Sequence, residues 1–447
     1  MNPRPRRLAW LVALPLSFAI ASAPPARAQE ARFGDSTWVA PYPIATESGD
    51  PTTDGPRVSR RDREPVGETI LRTPFRAVFY PVRLLARGVE RVADKVLPQF
   101  KGPPIRLGFY TEVAKLTPTI AYSSDTGIEP GFEIQRRSFR EDVPNIRIAG
   151  GWSTKGQRDA MARVHSGLDT TMWGVGAEAR YKIVPNFRFY GIGNDAPEGA
   201  HSIYRDERGD ISVFMRVGPD PLHRARFLAG YSSISSAGGS HGSPALQDVF
   251  DPTTVPFFGH DSKVFYFGAG GDFALVNHWR EPAYGVHLRG DVRHFESSDR
   301  TNVKYLELRG DVRGYLPVFA TRRILALRLL YDGVNPDGGS APIPFYRLPA
   351  SYGEYRFLAY HSNQFRDRVL GIAHVEYRWV ITRGLQAVAI AQLGEVAPNA
   401  KSLRIADIHE SYGIGLRFPL KKGTVVRGIA AQGSEGPQFL LIAGSDF

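Results

Sequence analysis

The chain of 447 residues contains no cysteine. Its absence excludes a disulfide framework and any thiolate nucleophile or thiolate metal ligand. Beyond residue 28 no apolar run approaches the roughly 20 residues that a membrane-spanning helix needs. The chain has a net charge of +11, but its basic residues alternate with acidic ones and form no long runs. This pattern argues against nucleic-acid binding. Neither a glycine-rich phosphate loop nor a metal-ligand spacing is present, so the sequence predicts no cofactor and no metal.

The N-terminus has the pattern of an export signal. A basic start is followed by an apolar run over residues 8–23 and by Ala26-Arg27-Ala28. Residues 1–28 therefore predict a cleaved signal peptide. The alternative, an uncleaved anchor helix, is disfavoured because the run is shorter than a spanning helix. An exported chain without spanning helices is periplasmic, secreted or an outer-membrane barrel.

The clearest pattern is a strict alternation over residues 284–315. In the first arm, one face carries Tyr284, Val286, Leu288 and Val292, and the other carries His287, Arg289, Asp291 and Arg293. In the second arm, the two faces carry Leu306, Leu308 and Val312 against Glu307, Arg309, Asp311 and Arg313. A period of two indicates strands. One face is dense with charges of both signs. Such a face is more typical of the lumen of a barrel whose outer face meets lipid than of a soluble sandwich.

Strand-like segments continue from residue 118 to the C-terminus. The others are 119–123, 131–139, 145–152, 172–183, 187–194, 211–217, 225–233, 263–276, 323–331, 369–380, 385–393, 411–418, 424–432 and 438–447. With the two arms above they predict an all-β, transmembrane antiparallel barrel of about 16 strands. Short turns, including one at 184–186, are interleaved with long connections at 195–210, 234–261, 332–368 and 394–409. Residues 153–171 are left open between a loop and a strand extension.

Two segments precede the barrel. Residues 29–68 are rich in proline, charge and hydroxyl side chains and predict a disordered periplasmic tail. Residues 69–100 place apolar side chains every three or four positions among arginines, which predicts a basic amphipathic helix. Three positions stay open for this helix: on the inner leaflet, inside the barrel from below, or against the barrel end. The barrel domain is predicted over 105–447.

Several local patterns resemble the BamA/TamA superfamily of outer-membrane assembly and translocation barrels, also called the bacterial surface antigen domain. They are 189–194 (FYGIGN), 364–368 (QFRDR), 375–379 (VEYRW), 411–418 (SYGIGLRF) and the closing aromatic Phe447. The resemblance implies a role in inserting or exporting outer-membrane protein or lipid. It also implies that Phe447 acts as an assembly signal.

The chain departs from the family pattern in two places. The family's sixth external loop carries an Arg-Gly-aromatic tip, which falls here on 358–360 (LAY), so only the aromatic Tyr360 remains. Arg356 is a candidate replacement for the missing arginine. A literal VRGY at 312–315 ends a regular strand and is interpreted as lumen-facing. The periplasmic POTRA modules of assembly members have no counterpart in residues 29–107, which lack the necessary strand pattern.

The same loop carries the candidate side chains Phe365, Arg366 and Asp367. If the loop enters the barrel, Arg366 and Asp367 are expected to bridge to lumen charges, because arginine and carboxylate form directional forks. The partners considered are Glu376, Arg378, Arg309 and Asp311. The alternative is a solvated surface pair.

Catalysis has weaker support. Residues 238–242 (GGSHG) match the G-x-S-x-G pattern, with Ser240 as nucleophile, but no helix pattern follows. His287 and His374 are candidates for a barrel-wall base, although a lumen histidine among charges is more often a network member. The sequence therefore predicts a protein that is not an enzyme. Its expected partners are outer-membrane lipid and periplasmic or outer-membrane proteins, and its expected form is a monomeric barrel. Three hypotheses remain: an assembly or export protein, a passive channel or structural barrel, and a hydrolase.

Overall fold

The computed structural model describes residues 105–106, 109–110, 114–123, 127–136, 144–166, 172–220, 222–239, 243–278, 281–319, 322–338, 342–382, 384–419 and 425–444. The predicted signal peptide, tail and amphipathic helix lie outside the described residues, as does Phe447.

Most of the described residues lie in strands. In chain order the strands are β1 (Ile105–Arg106), β2 (Phe109–Tyr110), β3 (Ala114–Ser123), β4 (Gly127–Arg136), β5 (Asn145–Trp152), β6 (Arg158–His165), β7 (Trp173–Phe189), β8 (Ser202–Asp220), β9 (His223–Gly238), β10 (Ser262–Val276), β11 (Gly285–Ser297), β12 (Lys304–Pro317), β13 (Arg323–Pro336), β14 (Val369–Thr382), β15 (Leu385–Ala397), β16 (His409–Pro419), β17 (Val425–Gly433) and β18 (Gly436–Gly444). One short helix, α1 (Leu246–Val249), and short 3-10 turns at Glu198–Ala200, Phe345–Arg347, Gly353–Tyr355, Ala400–Ser402 and Ile405–Asp407 lie in the connections. Among the described residues, no helix has both the length and the apolar character required to cross a membrane.

Each strand from β3 to β18 pairs antiparallel with the next strand in the chain. The stubs β1 and β2 both pair with β3. The sheet curves round on itself, since Asn194, which follows β7, bonds to Val396 on β15 and His409 on β16. The fold is an antiparallel β-barrel with sixteen long strands, which confirms the predicted fold class.

The connections differ in length at the two ends of the barrel. One end, here called the long-loop end, carries the connections 190–201, 239–261, 337–368 and 398–408. The opposite, short-turn end carries, after β7, the connections 221–222, 277–284, 318–322, 383–384 and 420–424, and the long-loop end also has the short connections 298–303 and 434–435. Such an asymmetry is typical of outer-membrane barrels.

The alternation in β11 and β12 has the predicted orientation. Leu308 is 48% exposed on the outer face, whereas its neighbour Glu307 is 5% exposed and faces the interior. Charged partners meet across the two strands, where Arg289 is registered with Asp311 and Asp291 with Arg309. The charged face therefore lines the lumen and the apolar face lies outside.

The outer face carries a band of exposed apolar side chains. On β10 this band extends from Phe265 to Leu275. Ten residues at about 3.3 Å each, tilted by about 40°, make a band about 25 Å tall. That height matches the apolar band of a membrane-embedded barrel.

Two strand predictions were wrong, and the total still agreed because the errors cancel. The predicted strands 172–183 and 187–194 form one strand, β7, because residues 184–186 make a bulge rather than a turn. A bulge accommodates Pro185, which has no backbone N–H to donate. The unassigned region 153–171 contains the missing strand, β6. Strand β8 also begins at Ser202, inside the segment predicted as a long loop.

The interior is divided by polarity. At the long-loop end, three clusters of buried apolar side chains join the connections to the inner wall. Toward the short-turn end the wall carries arginine, aspartate and glutamate together with a fourth, smaller apolar cluster of Tyr315, Ile324 and Ala326. Each of the three apolar clusters includes side chains of the connection between β13 and β14.

Candidate functional site: the loop plug and the lumen charges

The connection between β13 and β14 fills the long-loop end of the barrel. Its described part, residues 342–368, is called the loop plug below. The plug buries Phe357, Tyr360, Phe365 and Arg366 almost completely. A loop that buries this many side chains is part of the core rather than a surface excursion.

The tip of the plug is seated on two glycines of the barrel wall. A Cβ atom added to Gly433 would lie 2.8 Å from the Cβ of Ala359, and one added to Gly394 would collide with the ring of Phe357. The hydroxyl of Tyr360 bonds to the carbonyl oxygen of Glu410 at 3.2 Å. The wall therefore has no side chain at these two contacts with the plug. Tyr360, at the position of the predicted tip, contacts the wall.

The plug is also held by an interior glutamine, Gln392. Its Oε1 accepts from the Leu358 N–H at 2.8 Å, and its Nε2 donates to the carbonyl oxygen of Arg356 at 3.0 Å. Arg356 is thus fixed through its backbone. Its predicted role as a replacement for the family arginine stays a prediction.

Phe365 lies in an aromatic stack at the centre of the plug. Its ring is parallel to the ring of His409 on β16, with centroids 4.0 Å apart. Its backbone N–H donates to the hydroxyl of Ser351 at 3.1 Å, and its carbonyl oxygen accepts from the Ser351 N–H at 2.9 Å. These bonds fold the plug back on itself and hold it against the wall.

The predicted bridge from Arg366 and Asp367 to the lumen charges was wrong. Arg366 Nη1 donates to the carbonyl oxygen of Phe345 at 2.9 Å, and its guanidinium lies 5.9 Å from the ring centre of Phe189. Asp367 accepts from the Arg368 N–H at 2.7 Å, and burial raises the pKa of its carboxyl group. Both residues stay at the long-loop end because the backbone at 366 is held from both sides, by ladder contacts to residues 193 and 350. Arg366 therefore binds inside the plug.

The segment 189–194 (FYGIGN) meets the plug directly. The N–H of Gly193 donates to the carbonyl oxygen of Arg366 at 2.7 Å. Gly191 and Gly193 have φ of 115° and 117°, a conformation that favours glycine. Two segments more than 170 positions apart in sequence, each recognised as a motif, thus form one contact.

Asn194 then connects this segment to the opposite wall. Its Nδ2 donates to the carbonyl oxygen of Asp407 at 2.6 Å, and its Oδ1 accepts from the Val396 N–H at 3.0 Å. Its own carbonyl oxygen bonds to His409 Nε2 at 2.8 Å. Asn194 therefore acts as a clamp across the long-loop end.

Below the plug, four of the predicted charges of β11 and β12 are connected by ion pairs: Asp291, Arg293, Glu307 and Arg309. Arg293 lies 3.5 Å from Asp291 and 3.9 Å from Glu307. Arg309 contacts Glu307 at 2.7 Å and Asp332 at 3.3 Å. These side chains bridge neighbouring strands, and a small polar cavity roofed by Tyr355 lies between them and the plug.

Arg289 is the most peripheral of the predicted lumen charges, and its Nε lies 3.6 Å from Asp272 on β10. His287 Nε2 lies 3.5 Å from the same carboxylate. His287 is thus a network member, as the sequence suggested for lumen histidines.

Nearer the short-turn end, carboxylates are shared between arginines of neighbouring strands. Asp311 contacts both Arg313, at 2.5 Å, and Arg328, at 2.8 Å. Arg328 makes a two-pronged contact, with its Nε 3.0 Å from the other oxygen of Asp311. Such a fork fixes the direction of both side chains.

Glu376 is the centre of a second shared site. Its carboxylate contacts Arg378 at 2.5 Å and Arg427 at 3.5 Å, and His374 lies 3.8 Å away. Both Glu376 and Arg378 have no exposed surface. Glu376 and Arg378 thus pair with each other on β14, and Arg427 joins them from β17.

The sequence analysis missed several residues that hold this region together: Asn194, Glu281, Gln364, Gln392 and Arg427. Only Asn194 and Gln364 fall in recognised motifs. Gln392 had a weaker signal, as one of two amides, with Gln386, in the inward series of β15 that also holds Val388 and Ile390. Ser240 lies outside the described residues, and no group of three or more potential metal ligands occurs among those described.

The Asn194 clamp gives a first testable expectation. Asn194→Ala removes the side-chain bonds to Asp407 and Val396, so the connection 398–408 should become more accessible to trypsin, which cleaves after Lys401 and Arg404. The matched control is Asn399→Ala, which removes only bonds inside that connection, to Lys401 and Ser402. Peptide mapping after limited digestion measures the difference. Equal cleavage rates in the two variants would contradict the clamp.

No protein-family model matches the chain, and no curated protein matches it either. Among solved structures, the chain is similar to the crystal structure of BamA from Haemophilus ducreyi lacking POTRA domains 1–3. The TM-score is 0.56 at 13% sequence identity, and the match covers 81% of this chain and 77% of that chain. At this identity the likeness establishes a shared barrel fold.

Proposed function

We propose that this chain is an integral outer-membrane barrel that acts in the insertion or export of outer-membrane protein or lipid, and not as a diffusion channel. The observation that carries the proposal is the loop plug. A diffusion channel needs a continuous aqueous path, whereas here buried aromatic side chains fill the long-loop end. The similarity of the fold to the BamA barrel also supports the proposal, and this support comes from the fold alone.

The outer-membrane location is supported by the outer face. The apolar band about 25 Å tall has the height that a bilayer core requires of a β-barrel. Polar side chains appear at its upper limit, where Lys263 precedes Phe265 on β10 and Lys304 pairs with Glu296. The short-turn end then corresponds to the periplasm and the long-loop end to the exterior.

The proposal includes no enzymatic step. His287 and His374 both lie beside carboxylates within the wall network, which is a structural arrangement. Purified protein is therefore expected to show no esterase activity, and Ser240→Ala and His374→Ala are expected to leave a background rate unchanged. Activity lost on either substitution would favour a hydrolase.

Single-barrel recording in planar bilayers tests the channel alternative. The wild-type protein is expected to give a mostly closed record, because the plug is packed into the wall on several sides. Steady large open steps would instead support a passive channel.

A second experiment tests the assembly role itself. The purified chain is reconstituted into lipid vesicles, and the folding rate of an unfolded small barrel protein is followed by its mobility shift on gels. We expect faster folding than in protein-free vesicles. The matched control is the same quantity of a porin, and equal rates with porin and with this chain would contradict an assembly role.

A further inference from the structure

The connection between β10 and β11 folds into the mouth of the barrel at the short-turn end. It occupies residues 277–284 and is the longest of the short-turn connections after β7. Its described residues, 277–278 and 281–284, are called the strap below. Two residues are enough to join neighbouring antiparallel strands. The strap is therefore longer than the joining of β10 to β11 requires.

Asn277 closes the strap at its base. Its Oδ1 accepts from the N–H of Ala283 at 3.0 Å and from the N–H of Tyr284 at 3.1 Å. Its own N–H donates to the carbonyl oxygen of Tyr284 at 3.1 Å. Gly285 follows with a φ of 120°, a conformation that favours glycine, and leads the chain into β11. The base is thus fixed, and the strap extends from it as a closed loop.

The middle of the strap lies against the inner wall. Pro282 is buried, and Ala283 packs against the cluster of Tyr315, Ile324 and Ala326 on β12 and β13. The three wall side chains are buried and face the interior. The strap therefore lies inside the mouth of the barrel.

Glu281 connects the strap to strands further round the wall. Its carboxylate accepts from Nε2 of Gln386 on β15 and lies 3.5 Å from Nη1 of Arg417 on β16. Gln386 Oε1 accepts from the same Nη1 at 2.5 Å, and the two buried residues are registered opposite each other. The contacts of Glu281 with Gln386 and Arg417 are called the latch. Because β15 and β16 are the fourth and fifth strands after β11, the latch holds the strap across part of the mouth.

The strap is held less firmly than the loop plug. Among its described residues, the backbone hydrogen bonds lie within the strap, whereas the backbone of the plug bonds to Gly193 and to the side chain of Gln392. The Glu281 side chain keeps 28% of its surface exposed, so water reaches the latch and competes for its hydrogen bonds. The strap therefore does not seal the mouth against water and small ions, but it lies in the path of larger solutes.

We infer that the strap is a gate at the short-turn end of the lumen, and that it opens when Glu281 leaves Gln386 and Arg417. In the closed state it separates the lumen charges from soluble molecules on the short-turn side. In the open state it uncovers the inner wall beneath Ala283. The gate does not depend on the assembly role, because it concerns the end of the barrel opposite to the plug.

Thiol labelling tests the gate, since the chain contains no cysteine of its own. The reporter is Ala326→Cys, at a wall position that is fully buried in the cluster beneath the strap. The full chain is placed in lipid nanodiscs and treated with a water-soluble maleimide that does not enter lipid, and the labelling rate is followed by mass spectrometry. The rate is compared in the reporter alone and in the reporter combined with Glu281→Ala or Glu296→Ala. Glu296→Ala is the matched control, since it removes the same charge from the outer face, where Glu296 pairs with Lys304.

Glu281→Ala is expected to raise the labelling rate of the reporter by about fivefold or more, because hydrogen bonds to a charged group are lost only from the closed state. Glu296→Ala should leave the rate unchanged. A second reporter, Ser202→Cys, lies buried at the long-loop end of β8. Its labelling should be equally slow with and without Glu281→Ala, because the opening is confined to the strap.

Three results would overturn the inference. They are an equal labelling rate of Ala326→Cys with and without Glu281→Ala, an equal increase with Glu296→Ala, and an equal increase at Ser202→Cys, which would indicate a loosening of the whole barrel. If Ala326→Cys fails to fold, Ala283→Cys on the strap itself serves as the reporter in the same comparisons. Folding of every variant is checked beforehand by the heat-dependent mobility of the barrel on gels.

Discussion

Gly394→Val is expected to displace the loop plug and convert a mostly closed barrel into one with sustained open steps. The space beside Gly394 on β15 is filled by the ring of Phe357, so that even one added Cβ atom would overlap the ring. Overpacking of this kind costs about 1–3 kcal/mol. Such a cost changes the ratio of displaced to seated plug by roughly 5- to 150-fold.

The barrel offers a matched control for this substitution. Gly371 lies on the adjacent strand β14, and a Cβ atom added there meets nothing within 4 Å. Gly371→Val should therefore keep the closed record. The double variant Gly394→Val with Phe357→Ala should close the barrel again, because removing the ring makes room for the valine. Bilayer recordings of the four proteins measure the effect, and a closed record for Gly394→Val alone would show that the plug is not what closes the barrel.

The same glycine shows what the sequence did not reveal about the site. The sequence placed Tyr360 at the position of the family's loop tip, and it left open whether the connection between β13 and β14 enters the barrel. It did not show which wall positions receive the tip, because the contacts of Gly394 and Gly433 join segments far apart in the chain. A glycine in a strand can mark a bulge or the close approach of another group, and only the folded structure distinguishes a glycine that contacts an aromatic ring from one at a bulge.

Fold prediction succeeded where a physical pattern repeats within one segment. The alternation of β11 and β12 determines which face lines the lumen, because a shift of one residue would move every side chain to the opposite face of the sheet. Fold prediction failed where the composition of a turn occurs within a long strand. Pro185-Asn186 has the composition of a turn, yet the long ladder between β7 and β8 absorbs both residues in a bulge.

The partners of the candidate residues were harder to predict than their positions. The sequence left Arg366 and Asp367 open between bridges to lumen charges and a solvated surface pair. The backbone contact between Gly193 and Arg366 holds both residues at the long-loop end. Charge alone favoured partners among the lumen side chains. In the structure Arg366 instead bonds to a carbonyl oxygen, because a buried guanidinium donates to any suitably placed acceptor.

Glu376→Gln is expected to cause the largest loss of stability among single substitutions in the wall. Glu376 is fully buried and its carboxylate contacts Arg378 and Arg427, so the amide would leave two buried guanidinium groups without their shared anion. Breaking a buried ion pair by removing one partner costs about 3–5 kcal/mol. Equilibrium unfolding by urea in lipid vesicles gives the difference in the free energy of unfolding.

Glu207→Gln supplies the control, since Glu207 pairs with Arg205 near the outer surface of the barrel. Exposed pairs contribute about 0–1 kcal/mol, so this variant should unfold at nearly the wild-type urea concentration. The double variant Glu376→Gln with Arg427→Gln should recover part of the lost stability, because it removes one of the two uncompensated charges. A loss below about 1 kcal/mol in Glu376→Gln would mean that water reaches this part of the lumen and screens the arginines. In that event the lower wall is a solvated surface, and its charges carry no structural role in closing the barrel.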